Sequence, residues 1–135
     1  MYYLDLCTCI ELMRGRLPLT AELMNKSPSS LFAIPSIVVG ELLTGVEKSS
    51  AVSKTRFMTE RFLSPFEVVP FDEACARSYA KIRASLEGKG VKIGPNDLLI
   101  AACAMANGAV LVTDNIKEFK RIDGLELECW DEISL

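Results

Sequence analysis

Residues 93 to 114 read IGPNDLLIAACAMANGAVLVTD, and the order of features along that stretch decides the fold. From Leu98 to Ala106 there is no charge and no hydroxyl, so a helix there is apolar on every side and belongs in the interior. Asn107-Gly108 stops it, and Ala109 to Thr113 follows as a short apolar strand with Asp114 just past its end. A buried helix leading directly into a buried strand is the repeating unit of a parallel sheet covered on both faces.

The rest of the chain repeats that alternation. Tyr2 to Leu4 reads as a strand ending at Asp5, then a helix to about Arg14 with Gly15 as its stop, and a second helix from Leu17 to Asn25. Leu31 to Ile34 reads as the second buried strand. Pro35-Ser36 opens a helix, with Ser36 as the expected N-cap, that runs through Glu41 to about Lys48. Residues 51 to 63 carry apolar side chains at helical spacing, and Glu67 to Val69 forms a third strand closed by Pro70. Asp72 caps a helix reaching about Glu87. After Asp114 come a helical turn with Phe119, a last strand near Leu125 to Leu127 and a polar tail. The class is α/β, and residues 1–135 are expected to form a single domain.

Composition removes several functions. The chain has no histidine, which excludes histidine-based triads and the commonest general base. Its five cysteines are an odd number without a C-x-x-C pair, so buried reduced thiols are expected rather than disulfides or zinc. No apolar run reaches bilayer length, and Asp5 and Glu11 interrupt any signal-peptide pattern; a cytoplasmic protein is expected. A net charge of −3 gives no global attraction for nucleic acid, so any such contact needs a local basic face.

Four acids stand alone in apolar surroundings: Asp5 and Asp114 beyond strand ends, Asp97 at a helix start, and Glu41 amid Ile37, Val38, Val39, Leu42 and Leu43. Each has a bland reading by itself. Asp97 suits a helix dipole, Asp114 a turn, Asp5 a strand end, and Glu41 a buried arginine partner. Jointly they point elsewhere, because open parallel sheets bind ligands beyond the carboxyl ends of their strands. Two carboxylates about 4 Å apart repel by roughly 4 kcal/mol at an effective dielectric near 20. Several such pairs approach the roughly 5–15 kcal/mol that keeps a domain folded, so a gathered cluster must take up protons or cations. All-oxygen donors favour Mg²⁺ or Mn²⁺, the ions of phosphodiester hydrolysis.

These residues carry a family resemblance over nearly the full chain. The strand ending in Asp5 and "CIELMRG", "SIVVGELLTGVEKS" with the second acid, "FEVVPFDEACARSYAKIRASLEGKG" and "IGPNDLLIAACAMANGAVLVTDNIKEFKRIDGLELECW" resemble the PIN-domain ribonucleases, in particular the VapC-type toxins. The resemblance implies a parallel sheet of about five strands flanked by helices on both faces. It implies Mg²⁺ (or Mn²⁺) held by Asp5, Glu41, Asp97 and Asp114, and metal-dependent cleavage of RNA. Asp5 and Asp97 are the expected direct ligands, Glu41 the residue that orients or deprotonates water, and Asp114 an outer support. It also implies a VapB-type antitoxin, a homodimer and a larger toxin–antitoxin assembly.

One departure stands out. The resembled pattern continues D-T-N or D-S-N, whereas this chain has Asp5-Leu6-Cys7, which offers almost no hydrogen bonding. Losses in that outer support cost about 10- to 100-fold in metal affinity or activity, unless Thr8 compensates. A competing reading is therefore a catalytically feeble PIN protein that works by binding antitoxin or RNA. A receiver-like phospho-acceptor domain fits poorly, since paired acids at the first strand and a late lysine are missing.

Two surfaces complete the expectations. Arg77, Lys81, Arg83, Lys89 and Lys92 form either a phosphate-tracking rim beside Asp97 or an ordinary solvated helix face. Lys117, Lys120 and Arg121 add a second basic group. The helix over Val52 to Phe62, with Leu12, Met13, Leu17 and Met24, carries large apolar side chains, and a groove among them would suit an amphipathic helix from a partner.

Overall fold

The fold is seen in a computed structural model that describes residues 1–130. Five strands form one sheet: β1 (Tyr2–Leu4), β2 (Phe32–Pro35), β3 (Glu67–Val69), β4 (Val110–Val112) and β5 (Leu127–Glu128). Their order is β3-β2-β1-β4-β5 and every pairing is parallel. The chain therefore builds outward from β1 on one side through β2 and β3, then returns to the other side for β4 and β5. That reversal opens a crevice between β1 and β4 at their carboxyl ends, the place where such sheets take ligands.

Helices connect the strands: α1 (Leu6–Met13), α2 (Pro18–Asn25), α3 (Ser36–Glu47), α4 (Val52–Leu63), α5 (Glu73–Gly88), α6 (Pro95–Ala106) and the short α7 (Ile116–Phe119). All four residues of β2 are buried, so both faces of the sheet are covered there. α6 is the central helix. Ile100 to Ala104 are all buried, and its alanines let it lie close to the sheet while α5 packs on it. Leu4, Ile34, Ile100, Leu111 and Phe119 are fully buried and tie strands and helices into one core. No helix among the described residues is long and apolar enough to cross a membrane.

Three boundaries differ from expectation. Ser36 is not an N-cap; Pro35 occupies that position without a side-chain bond, because β2 runs straight into α3. α6 begins at Pro95, whose fixed backbone suits a first helical position, so Asp97 lies inside the first turn. The last strand is displaced to Leu127–Glu128, where pairing of Leu111 with Leu127 sets its register. Gly108 adopts a φ of 62° and turns the chain from α6 into β4, a conformation that favours glycine. Of the polar tail, residues 131–135 lie outside the described part.

Cys9, Cys75 and Cys103 are buried free thiols, as their apolar neighbours suggested, whereas Cys7 is half-buried and Cys129 exposed.

Candidate active site

Asp5 leaves β1 and caps α1, so sheet and helix together fix its carboxylate. One oxygen accepts the Leu6 N–H at 2.8 Å and the other accepts the Thr113 hydroxyl at 2.7 Å. Asp5 is only 6% exposed, and burial pushes its carboxyl above the ordinary range despite those bonds. Thr113 extends β4 and is fully buried, so two neighbouring strand ends share this contact.

Glu41 reaches the same crevice from α3. Its Oε1 is buried without a hydrogen-bond partner, and Oε2 meets only the Asn96 Nδ2 at 3.5 Å. Burial raises its pKa, partly offset by Asn96. A buried carboxylate oxygen left unsatisfied costs stability unless a proton or cation completes it.

Asp97 enters from the first turn of α6. Its pKa is pushed up to about 7, first by burial and then by Glu118, Asp5 and Glu41. Glu118 lies on α7 and is the opposite case: its bond with Asp97, the Gly94 N–H at 3.1 Å and the Asn115 amide at 2.8 Å hold it below the ordinary range. Gly94 borders this pair, since a Cβ there would stand 3.6 Å from Asp97 Oδ2 and 4.0 Å from Glu118 Oε1.

Asp114 completes the rim. It is exposed, and its backbone N–H donates to Cys7 Sγ at 3.4 Å. Burial pushes the Cys7 thiol up to about 11.

Asp5, Glu41, Asp97 and Asp114 thus line one open cleft of about 500 Å³, with Leu6, Cys7 and Asn115. Its donors are mostly carboxylate oxygens, which suit a hard divalent cation. The orphaned Glu41 Oε1 and the crowding that raises Asp97 both fit such an ion. Among the described residues no three acidic or cysteine side chains stand close enough together to hold an ion, so they would have to draw in around it.

Two neighbours were missed from sequence. Thr113 reads as an ordinary last strand residue, and its only signal is a hydroxyl directly after AVLV. Glu118 sits four residues past Asp114, one helical turn on, and nothing in NIKEF distinguishes it from a surface acid. Thr8 does not play the compensating role considered for it; its hydroxyl donates to the Val112 carbonyl at 3.2 Å and not to a carboxylate.

None of the five basic candidates lines the cleft. Arg77 pairs with Glu73, Arg83 with Glu87 and Lys89 with Asp123, all at the surface, while Lys81 and Lys92 are exposed.

A second concavity, of about 700 Å³, lies among α1, α2 and α4. Leu12, Met13, Met24, Met58, Phe62 and Phe66 line it, and it is larger than the acid cleft but carries no cluster of titratable groups. Leu17, grouped with these side chains from sequence, is instead buried and does not line it.

Comparison with known proteins places the fold in a family. The PIN domain family model matches residues 2–125. The chain is 48% identical to Ribonuclease VapC2 of Rickettsia felis over 111 residues, 82% of this chain and 81% of that protein. It is 38% identical to the tRNA(fMet)-specific endonuclease VapC of Salmonella typhimurium over 129 residues, 96% and 97% of the two chains. The crystal structure of VapBC2 from Rickettsia felis bound to a DNA fragment from their promoter contains a chain that superposes with a TM-score of 0.87. It is 42% identical and covers 96% of this chain and 98% of that one. The chain therefore belongs to the PIN-domain family, among its VapC ribonucleases.

Proposed function

We propose that this protein is a metal-dependent endoribonuclease, Mg²⁺ or Mn²⁺ being its ion, and the toxin partner of a VapB-type antitoxin. The observation that carries the reading is the meeting of Asp5, Glu41, Asp97 and Asp114, from four separate elements, at one sheet crevice. The names of its relatives, ribonuclease and tRNA(fMet)-specific endonuclease, support RNA as the substrate.

When bound, a divalent ion supplies charge neutralisation at a phosphate and lowers the pKa of water for in-line attack. The protein's own groups do the rest. Asp5, just past β1, and Asp97, in the first turn of α6, would hold the ion. Glu41, with an oxygen that no other group bonds, would orient the attacking water and accept its proton. Asp114, exposed at the rim, supports the ion's outer shell. Thr113 does for Asp5 what the missing polar pair at Leu6-Cys7 would do: it fixes the carboxylate with a short bond. That contact favours a working enzyme over a feeble binding protein.

Exposed ion pairs are worth little, so Arg77, Arg83 and Lys89 can exchange their acids for RNA phosphates, with Lys81 and Lys92 beside them. The apolar groove among α1, α2 and α4 is the dock for an antitoxin helix, in keeping with the VapBC complexes that share this fold. A homodimer carrying antitoxin is part of the same proposal.

The test is cleavage of structured RNA with Mn²⁺, with and without Asp97→Asn. Cleavage that needs the ion and vanishes in the variant supports the enzyme. Equal cleavage in both samples rejects this site, and no cleavage by a protein that still binds antitoxin selects the feeble binding protein.

A further inference from the structure

The acid cleft contains one donor that is not oxygen. Cys7 lines it half-buried, with Sγ 3.8 Å from Asp5 Oδ2, 3.6 Å from Thr113 Oγ1 and 3.4 Å from the Asp114 backbone N. The buried thiols Cys9, Cys75 and Cys103 and the exposed Cys129 are not among its lining residues.

We propose that Cys7 is a direct ligand of the ion bound at Asp5, and that the cleft consequently prefers a thiophilic divalent cation of the zinc class to Mg²⁺. The inference rests on the carboxylate cleft binding a divalent ion at all, as argued above.

The spacing carries it. Ligand bonds of about 2.1 Å to oxygen and 2.3 Å to sulfur, at a tetrahedral angle, separate the two donor atoms by about 3.6 Å. The observed 3.8 Å between Asp5 Oδ2 and Cys7 Sγ is close to that, so this pair needs little rearrangement and the further donors draw in to it. The Asp114 N–H already donates to the sulfur, and that bond strengthens when the sulfur becomes anionic. On binding, the thiol proton passes to solvent and a sulfur–metal bond replaces the S–H bond, with no change of oxidation state. Glu41 Oε1, buried and unpartnered, supplies a further oxygen donor to the same cleft. Soft sulfur selects zinc-class ions over Mg²⁺, which takes oxygen donors and keeps its waters.

Cobalt(II) reports the bond directly, because a thiolate on cobalt gives an intense near-ultraviolet charge-transfer band. Co²⁺ is titrated into the full chain and into Cys7→Ser, and Zn²⁺ and Mg²⁺ affinities are measured on both by calorimetry. Wild type is expected to show the band and to bind Zn²⁺ more tightly than Mg²⁺. In Cys7→Ser the band disappears and Zn²⁺ affinity falls. Loss of outer support alone costs about tenfold, so loss of a direct ligand costs at least that, with Mg²⁺ affinity little changed. Cys7→Asn, which places the resembled pattern's own amide there, should also lose the band and guards against a local folding defect. Uptake of Co²⁺ without the band, or a band that persists in Cys7→Ser, overturns the thiol ligand and leaves the carboxylate site standing. Absence of Co²⁺, Mn²⁺ and Mg²⁺ uptake by wild type overturns both.

Discussion

The Thr113 hydroxyl donates a 2.7 Å hydrogen bond to the Asp5 carboxylate across 108 residues of sequence. β1 and β4 are adjacent and parallel, with Leu4 opposite Val112, so each strand's next residue points into the same crevice. The backbone repeats the link, as the Asp5 N–H donates to the Val112 carbonyl at 2.9 Å. This junction fixes the one acid among the described residues that is almost wholly buried.

Thr113→Val removes that donor while keeping the shape. Leaving a buried carboxylate short of a partner costs about 1–3 kcal/mol, and loss of such support weakens metal binding by about 10- to 100-fold. Thermal unfolding and Mn²⁺ calorimetry should both register the loss, and Thr113→Ser should restore most of it. If Thr113→Val bound Mn²⁺ as wild type does, Thr113 would not support Asp5.

Asp97→Asn should act in two directions. Without metal the variant melts at a higher temperature than wild type at pH 8, because it removes a charge crowded by burial, Glu118, Asp5 and Glu41. With metal it loses RNA cleavage. A lower melting temperature in the metal-free variant at pH 8 would show that Asp97 is held by partners rather than crowded.

Metal-free stability should also depend on pH through Asp97. Its carboxyl is raised from an ordinary 3.8 to about 7, so the folded state binds the proton more tightly than the unfolded chain. The stabilisation is complete below about 4 and fades as pH climbs through about 7. Melting temperature should therefore fall between these limits relative to Asp97→Asn, and added Mn²⁺ should raise it more at pH 8 than at pH 5. Parallel pH profiles for the two proteins would remove Asp97 as the source.

Phe57→Glu tests the apolar groove. Phe57 is 66% exposed at its border, so the change should leave folding and RNA cleavage intact. Antitoxin affinity should fall by about tenfold or more, since a charge replaces an aromatic anchor. Unchanged affinity would move the antitoxin to another face.

What the sequence made legible follows from burial. The inner strands β1, β2 and β4 are short apolar runs because a parallel sheet covers both their faces, and the edge strand Glu67–Val69 also falls where its residues suggested. Asp5, Glu41, Asp97 and Asp114 stood out because each interrupts an apolar neighbourhood. Glu118 and Thr113 did not. Glu118 lies in a four-residue helix, where no period exists to mark its face, and it gains meaning only from Gly94 and Asp97, about twenty residues back along the chain. Leu6-Cys7 read as a deficit against the resembled D-T-N or D-S-N pattern; spatial neighbours provide the hydroxyl from β4 and place the thiol in the cleft lining. The basic side chains had two readings in sequence, a phosphate rim or a solvated face; Arg77 and Arg83 pair with acids one helical turn away, and Lys89 pairs with Asp123 far along the chain.

The most direct test of the carboxylate cleft is calorimetric titration of Mn²⁺ into metal-free protein at pH 7.5, beside Asp5→Asn and Asp97→Asn. Wild type should take up the ion with a saturable heat that either substitution weakens by about tenfold or more. Identical heats in all three proteins, or none in wild type, would contradict it.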